Sequence, residues 1–456
     1  MPTPDPGTPA SPASVPKWIL YGVALCVLAG AFLRFDAVLT TEVDVPIRSD
    51  ALEHVRYALN LRLHGTYSKQ PASPPTPDAT RAPLYPVLMA AVIDPEASAD
   101  ALVLRVGLLQ AGLSTLTVLL AFLVARTVLP PGLALASCAL VAISPHLINL
   151  GVYLLSETLF AALMMGWLLL VHRAMRGGSP RWAALAGLLL GLMALTRPWI
   201  VHFALGLAIV SWAVLRDPRL RRVSLGMLAG CLVIIGSWHM RNLVSVGVWS
   251  DSPRTANAIH HGMYPDFVFE GRPETFGFPY RYDPASEQIT GSTSRVLDLL
   301  VERARAEPGR YLKWFLVDKP LYLFRWDAVQ GAADAFVYPI IDTPYLDQPF
   351  FIATRWLARL LHPWLMLLAA VSFVVLTIDA LRRRWRGADV DGYLAVWWCL
   401  YGYFVLVHLV GAPFPRYSAQ IYPYLYPLAL MPLAWLFERG LAAVRTSGRV
   451  DPATPA

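Results

Sequence analysis

Apolar runs of roughly 20 residues, the length a helix needs to cross hydrocarbon, recur near 18–40, 102–128, 132–149, 152–171, 183–197, 198–215, 223–247, 356–380, 391–411 and 419–438. No water-soluble domain could bury them all. Lipid offers backbone N–H and C=O groups no partner, so runs of this length read as helices. With 56% hydrophobic and 15% charged residues, the chain reads as an all-α polytopic membrane protein of about ten transmembrane helices.

The arginines give the orientation. Arg173, Arg176 and Arg181 form one group, Arg216, Arg219, Arg221 and Arg222 a second, Arg382, Arg383, Arg384 and Arg386 a third, and Arg439, Arg445 and Arg449 a fourth. With the spans in this order all four, together with Lys17 and Arg126, fall on one side, which the positive-inside rule makes cytoplasmic. Both termini are then cytoplasmic. The net charge of +7 is largely this signal and gives no reason to expect a nucleic-acid partner.

The expected organisation is a disordered tail (1–17), a transmembrane module (18–248) with an outer loop at 41–100, a small outer domain (249–354), C-terminal helices (355–440) and a second disordered tail (441–456). The first apolar run shows no convincing cleavage site and is expected to remain as an anchor. Cys26, Cys138, Cys231 and Cys399 all lie in apolar runs and read as packing residues.

In the first outer loop, SDALEHVRYALNLRLHG places Leu52, Val55, Leu59 and Leu63 on one helical face and Asp50, His54 and Tyr57 on the other. Such a helix is expected to lie in the headgroup layer, its leucines in the membrane and its polar row toward water or a partner. Asp50 belongs at its N-terminal end, where the helix dipole favours a carboxylate.

Isolated charges interrupt other apolar runs: Glu157 in SETLF, Arg197 in LTRPW, Arg241 in SWHMRN and Arg416 in PFPRY. Each is expected at the helix end that shares a side with Asp50. Charges within a span are costly and call for partners. Arginines facing one or two carboxylates at headgroup height suit a membrane-borne phosphate, with a carboxylate placed to act as general base on a hydroxyl.

The order of these motifs resembles the GT-C membrane glycosyltransferases, specifically bacterial relatives of the dolichyl-phosphate-mannose protein mannosyltransferases and of the lipid A aminoarabinose transferase. The likeness runs through Asp50 and its helix, RAPLYP with Arg81 and Tyr85, Glu157, Arg197, the W-x-x-R-N of Trp238, Arg241 and Asn242, and Arg416-Tyr417. Two features depart from the pattern. Many relatives have Asp-Glu where this chain has Asp50-Ala51, so Glu42, Asp44 and Glu53 compete with Asp50 as base, and Ser237 stands where a proline is common.

The resemblance implies a GT-C bundle and an inverting transfer of a hexosyl or pentosyl group from a polyprenyl-phosphate donor to a lipid, glycan or protein acceptor. The site would face the periplasm from a bacterial inner membrane. Asp50 and Glu157 would be catalytic, Arg81, Arg241, Arg197 and Arg416 would bind the donor phosphate, and His54, Tyr57, Tyr85, Trp238, Asn242 and Tyr417 would contact substrate. No cofactor is implied. The His260-His261 pair, with Asp251 and Asp266 in the same loop, leaves a divalent metal open, although adjacent histidines usually diverge. The competing reading is a transporter or flippase for a lipid-linked glycan, which would place its charges near the bilayer midplane.

Overall fold

A computed structural model describes residues 15–447 apart from 178, 216, 250–252 and 329–333; Asp251, Arg216, Arg449 and most of both tails lie outside the described residues. Helix α1 (Lys17–Thr40) leads through strand β1 (Glu42–Val43) to α2 (Ser49–His64) and α3 (Leu84–Val92). Next come α4 (Ala99–Ala125), α5 (Pro131–Ile143), α6 (Pro145–Asn149), α7 (Glu157–Gly177), α8 (Pro180–Ala194), α9 (Phe203–Val210) and α10 (Pro218–Val246). The long loop folds as α11 (Pro253–Gly262), α12 (Ser286–Ile289), α13 (Thr293–Ala306), α14 (Pro308–Lys313), α15 (Lys319–Leu323), β2 (Ile340–Asp342) and α16 (Pro344–Asp347). Helices α17 (Pro349–Trp385), α18 (Gly392–Val410), α19 (Pro415–Ala419) and α20 (Tyr422–Ser447) complete the bundle.

Seven helical stretches among the described residues are long and apolar enough to cross a membrane: Lys17–Thr40, Ala99–Ala125, Glu157–Gly177, Pro198–Leu215, Pro218–Val246, Pro349–Trp385 and Gly392–Val410. Among the described residues the protein is all-α and polytopic apart from one two-stranded ladder and an isolated bridge between Phe269 and Arg272. The expected spans at 132–149 and 183–197 are instead short helices of 13 and 15 residues, α5 and α8. The first is broken at Ser144 because Pro145 has no N–H with which to continue the ladder. The expected span at 152–171 starts later, at Glu157.

The break after α5 explains a buried charge. Arg34 on α1 is 1% exposed. Its guanidinium donates to Val141 O and Ala142 O at 2.8 Å each, to Gly30 O at 3.0 Å and to Ser114 Oγ at 2.7 Å. It thus satisfies carbonyls at the C-terminal end of α5, where a cation is also favoured by the helix dipole.

Helices α8 and α10 approach through glycines. A Cβ at Gly187 would stand 2.2 Å from Met227 O, and one at Gly230 would stand 2.4 Å from Ala184 O, so any side chain there would force the helices apart. Small residues at such contacts are how helices associate in lipid, where burial of apolar surface gives no preference for a neighbouring helix over acyl chains.

The long loop has a small core of its own around Ile259, Met263, Tyr264, Phe269, Ile289 and Val296. It is tied to the first loop by the antiparallel β1–β2 ladder, which pairs Glu42 with Asp342 and Val43 with Ile340. A second tie is Lys319, fully buried, whose Nζ donates to Leu409 O at 2.6 Å and Gly411 O at 2.9 Å and so caps the end of α18.

Candidate active site

Helix α2 carries Asp50 in its first turn and closes at Gly65, whose φ of 64° is left-handed and easy only for glycine. Ala51, His54, Val55, Tyr57 and Ala58 face the protein, while Leu63 is 59% exposed. The polar row therefore points at a partner, the protein itself. The His54 ring meets Tyr85 edge-on at 5.0 Å, and Tyr85 Oη donates to Gln110 Oε1 at 2.9 Å. Gln110 Nε2 in turn holds Gly151 O at 3.0 Å and Tyr153 O at 2.8 Å, fixing the non-helical approach to Glu157.

The centre of the site is a bridged carboxylate. Arg81 Nη2 donates to Asp50 Oδ1 at 2.6 Å, and Arg416 Nη2 donates to Asp50 Oδ2 at 2.7 Å. Arg81 also donates through Nε to Glu53, whose other oxygen lies 3.7 Å from Lys69 Nζ. Arg416 is placed by Pro415 at the start of α19 and by its own backbone N–H, which donates to Ala328 O at 3.0 Å. Burial by itself would raise the Asp50 carboxyl, but the charges and hydrogen bonds of Arg416 and Arg81 outweigh it and hold the group well below the usual carboxylate range.

A second acid–base pair adjoins it. Glu157, fully buried in the first turn of α7, lies 3.2 Å from Arg197 Nη1. This is an ion pair without hydrogen-bond alignment, and neither Glu157 oxygen meets a hydrogen-bond partner among the described residues. The Tyr417 ring joins the pairs, with the Arg197 guanidinium 5.2 Å and the Arg416 guanidinium 5.3 Å from its centroid. Asp50, Arg81, Arg416, Tyr417, Arg197 and Glu157 thus form one connected group.

Arg241 is engaged elsewhere. Its Nη1 donates to Asp78 O at 2.7 Å and Asn242 Oδ1 at 3.1 Å, and its Nη2 donates to Tyr67 O at 3.2 Å. The guanidinium sits 4.9 Å from the Trp238 ring centroid and 5.4 Å from that of Tyr67. Tyr67 stacks on Tyr57 at 4.2 Å, and Tyr57 Oη donates to Asp78. The expected Trp238, Arg241, Asn242 and Tyr57 therefore meet around the strap between α2 and α3, which also carries Arg81; Tyr67 Oη donates to the Arg81 carbonyl at 3.1 Å.

The histidine pair diverges. His260 Nε2 shares a hydrogen bond with Tyr264 Oη at 3.0 Å, and His261 Nε2 shares one with Gly277 O at 2.7 Å. No group of three or more His, Cys, Asp or Glu among the described residues is arranged to hold a metal ion. Sequence reading did not single out Tyr67, Asp78 or Tyr338, and it weighed Glu53 only as a competing base. Asp78 stands three residues before Arg81, which is a signal, though a weak one; Tyr338 is nearly 290 positions from Asp50 and had none.

This arrangement can be compared with known proteins. Over nearly its whole length the chain is similar in structure to the archaeal oligosaccharyltransferase AglB from Archaeoglobus fulgidus, seen in complex with an inhibitory peptide and a dolichol-phosphate. The TM-score is 0.51 at 14% identity, covering 96% of this chain and 52% of that one. The chain has a GT-C fold. This GT-C chain spans about half the length of the archaeal protein. Its residues 99–238 match the family model for dolichyl-phosphate-mannose-protein mannosyltransferase. ArnT from Cupriavidus metallidurans, bound to undecaprenyl phosphate, is more distant at TM-score 0.38 and 12% identity, covering 97% of this chain and 82% of that chain. A search of curated proteins with the sequence finds no match.

Proposed function

We propose that the protein is an inverting glycosyltransferase that moves a hexosyl or pentosyl group from a polyprenyl-phosphate donor to a lipid, glycan or protein acceptor at the outer face of a bacterial inner membrane. The observation that carries this reading is the Asp50 carboxylate bridged by Arg81 and Arg416, one acid and two permanent cations next to a second acid, Glu157. The dolichol-phosphate complex of the GT-C protein AglB supports a lipid phosphate as the carrier.

In the proposed step the acceptor oxygen attacks the anomeric carbon from the face opposite the phosphate. The new C–O bond forms as the bond to the phosphate oxygen breaks, and the electron pair leaves with the polyprenyl phosphate. The acceptor proton passes to Asp50. Arg81 and Arg416 neutralise the departing phosphate, which needs charge stabilisation more than a proton.

A carboxylate held by two guanidiniums is a weak base. The same two arginines resolve this, because phosphate oxygens bound to their remaining N–H groups compete with Asp50 and weaken its bridge. Donor binding then raises the Asp50 carboxyl toward its ordinary range and makes it a better proton acceptor. Glu157 remains paired with Arg197 and orients substrate. Arg241 fixes the strap that delivers Arg81 and so serves the donor phosphate indirectly.

The test is mass spectrometry of the cell envelope with and without the gene. Loss of one hexose, pentose or amino-sugar mass from a defined acceptor supports the reading and names sugar and acceptor together; an envelope of unchanged composition with an accumulated or mislocalised lipid-linked glycan opposes it.

A further inference from the structure

Tyr338 reaches the same site from the long loop. It precedes β2, and the ladder sets its position: Asp44 N–H donates to Pro339 O at 3.1 Å, and Tyr153 Oη donates to Tyr338 O at 3.2 Å. The Tyr153 ring packs edge-on against it at 5.4 Å, and the Arg48 guanidinium lies 5.6 Å from its centroid. The side chain is 8% exposed, and its hydroxyl meets no hydrogen-bond partner among the described residues.

Three buried oxygens in this region therefore lack such partners: Tyr338 Oη and both oxygens of Glu157. Geometry brings them together: Tyr153, which holds the Tyr338 backbone and ring, stands four residues before Glu157, and Arg48, which lies over that ring, stands two residues before Asp50. The phenol is pushed up by burial to about 12. It stays a neutral donor at physiological pH. Leaving buried polar atoms unpaired is costly and recurs at sites completed by a ligand. The pair offers one donor and one carboxylate acceptor, which matches a hydroxyl able both to give and to receive. A phosphate would be repelled by Glu157, whereas a neutral polyol would not.

Building on the proposed glycosyltransferase reading, we infer that Tyr338 and Glu157 form the subsite for hydroxyls of the transferred glycosyl unit, beside the phosphate held by Arg81 and Arg416. Tyr338 donates to a ring hydroxyl and Glu157 accepts from one. The sugar is thereby oriented with its anomeric carbon toward Asp50.

The test compares the full chain, wild type, Tyr338→Phe and Asp50→Asn, in lipid nanodiscs and in cells lacking the gene. Thermal unfolding is followed with and without undecaprenyl phosphate, and envelope product is quantified by mass spectrometry. For Tyr338→Phe the expected result is an unfolding midpoint equal to or above wild type, undecaprenyl phosphate affinity within about twofold, and product formation lowered about tenfold, the scale of one lost hydrogen bond in the transition state. Wild-type product in Tyr338→Phe alongside an inactive Asp50→Asn overturns the subsite while sparing the proposed function. A lowered midpoint or a lost undecaprenyl phosphate affinity in Tyr338→Phe also overturns it, because the phenol would then be a structural group or a phosphate ligand. Absence of any gene-dependent envelope product in the wild type overturns the underlying reading itself, whereas full product in Asp50→Asn overturns the orientation of the sugar toward Asp50.

Discussion

Asp50 and Arg416 stand 366 positions apart in the chain and 2.7 Å apart in the structure. Their contact joins the first loop to the last helices and leaves the second Asp50 oxygen to Arg81. The candidate chemistry rests on that bridge.

Asp50→Asn keeps shape and helix-capping ability but cannot accept a proton. Transfer is expected to fall by about 10²–10⁴, with the protein still inserted and still binding polyprenyl phosphate. A role limited to ordering the start of α2 predicts near-normal transfer, since Asn caps about as well as Asp. Transfer and lipid-phosphate binding, measured side by side, decide.

The Asp50 carboxyl is lowered in the folded protein, so its stabilising contribution is complete above its unfolded pKa and is lost as pH falls toward the folded value. With an unfolded pKa of about 3.9, the difference in unfolding midpoint between wild type and Asp50→Asn should be flat from about pH 5 to 8 and shrink below about pH 4. A difference that shrinks between pH 5 and 7 instead would show that Arg81 and Arg416 do not hold the carboxylate as described.

Arg241→Ala removes the donor shared by Tyr67 O and Asp78 O. Each such bond contributes about 1 kcal/mol, so trypsin cleavage in the strap at Lys69 should rise about tenfold or more and donor affinity should fall with it. Arg241→Lys should restore less than half of either effect, because an ammonium lacks the planar fork. Unchanged cleavage in Arg241→Ala would show that the strap is held without it.

Arg197→Ala leaves Glu157 buried without its cation. Breaking such a pair on one side typically costs about 3–5 kcal/mol, so the unfolding midpoint should drop by several degrees, and adding Glu157→Gln should restore much of it. Additive losses in the double variant would show that the two side chains do not stabilise one another.

The membrane class of the fold was legible in the sequence because apolar length is a local property and lipid permits few backbone solutions. Motif order likewise picked out Asp50, Arg81, Glu157, Arg197 and Arg416, which the structure gathers into one connected group with Tyr417. For α2 periodicity found the stripe and the polar row but not what packs on them: Leu63 lies exposed, while His54 and Tyr57 face the protein. Full spans were expected where Pro145 and the irregular turn before Glu157 break the helices.

Sequence by itself determined the apolar segments and which charges had to find partners, because each follows from neighbours within a few residues. Only the tertiary structure decided who those partners are. Arg241 grips Tyr67 and Asp78 instead of joining Asp50. Tyr338 arrives at Arg48, two residues before Asp50, because the β1–β2 ladder closes across nearly 300 residues. Such pairings depend on how distant helices and loops pack, and no local pattern of residues carries that information.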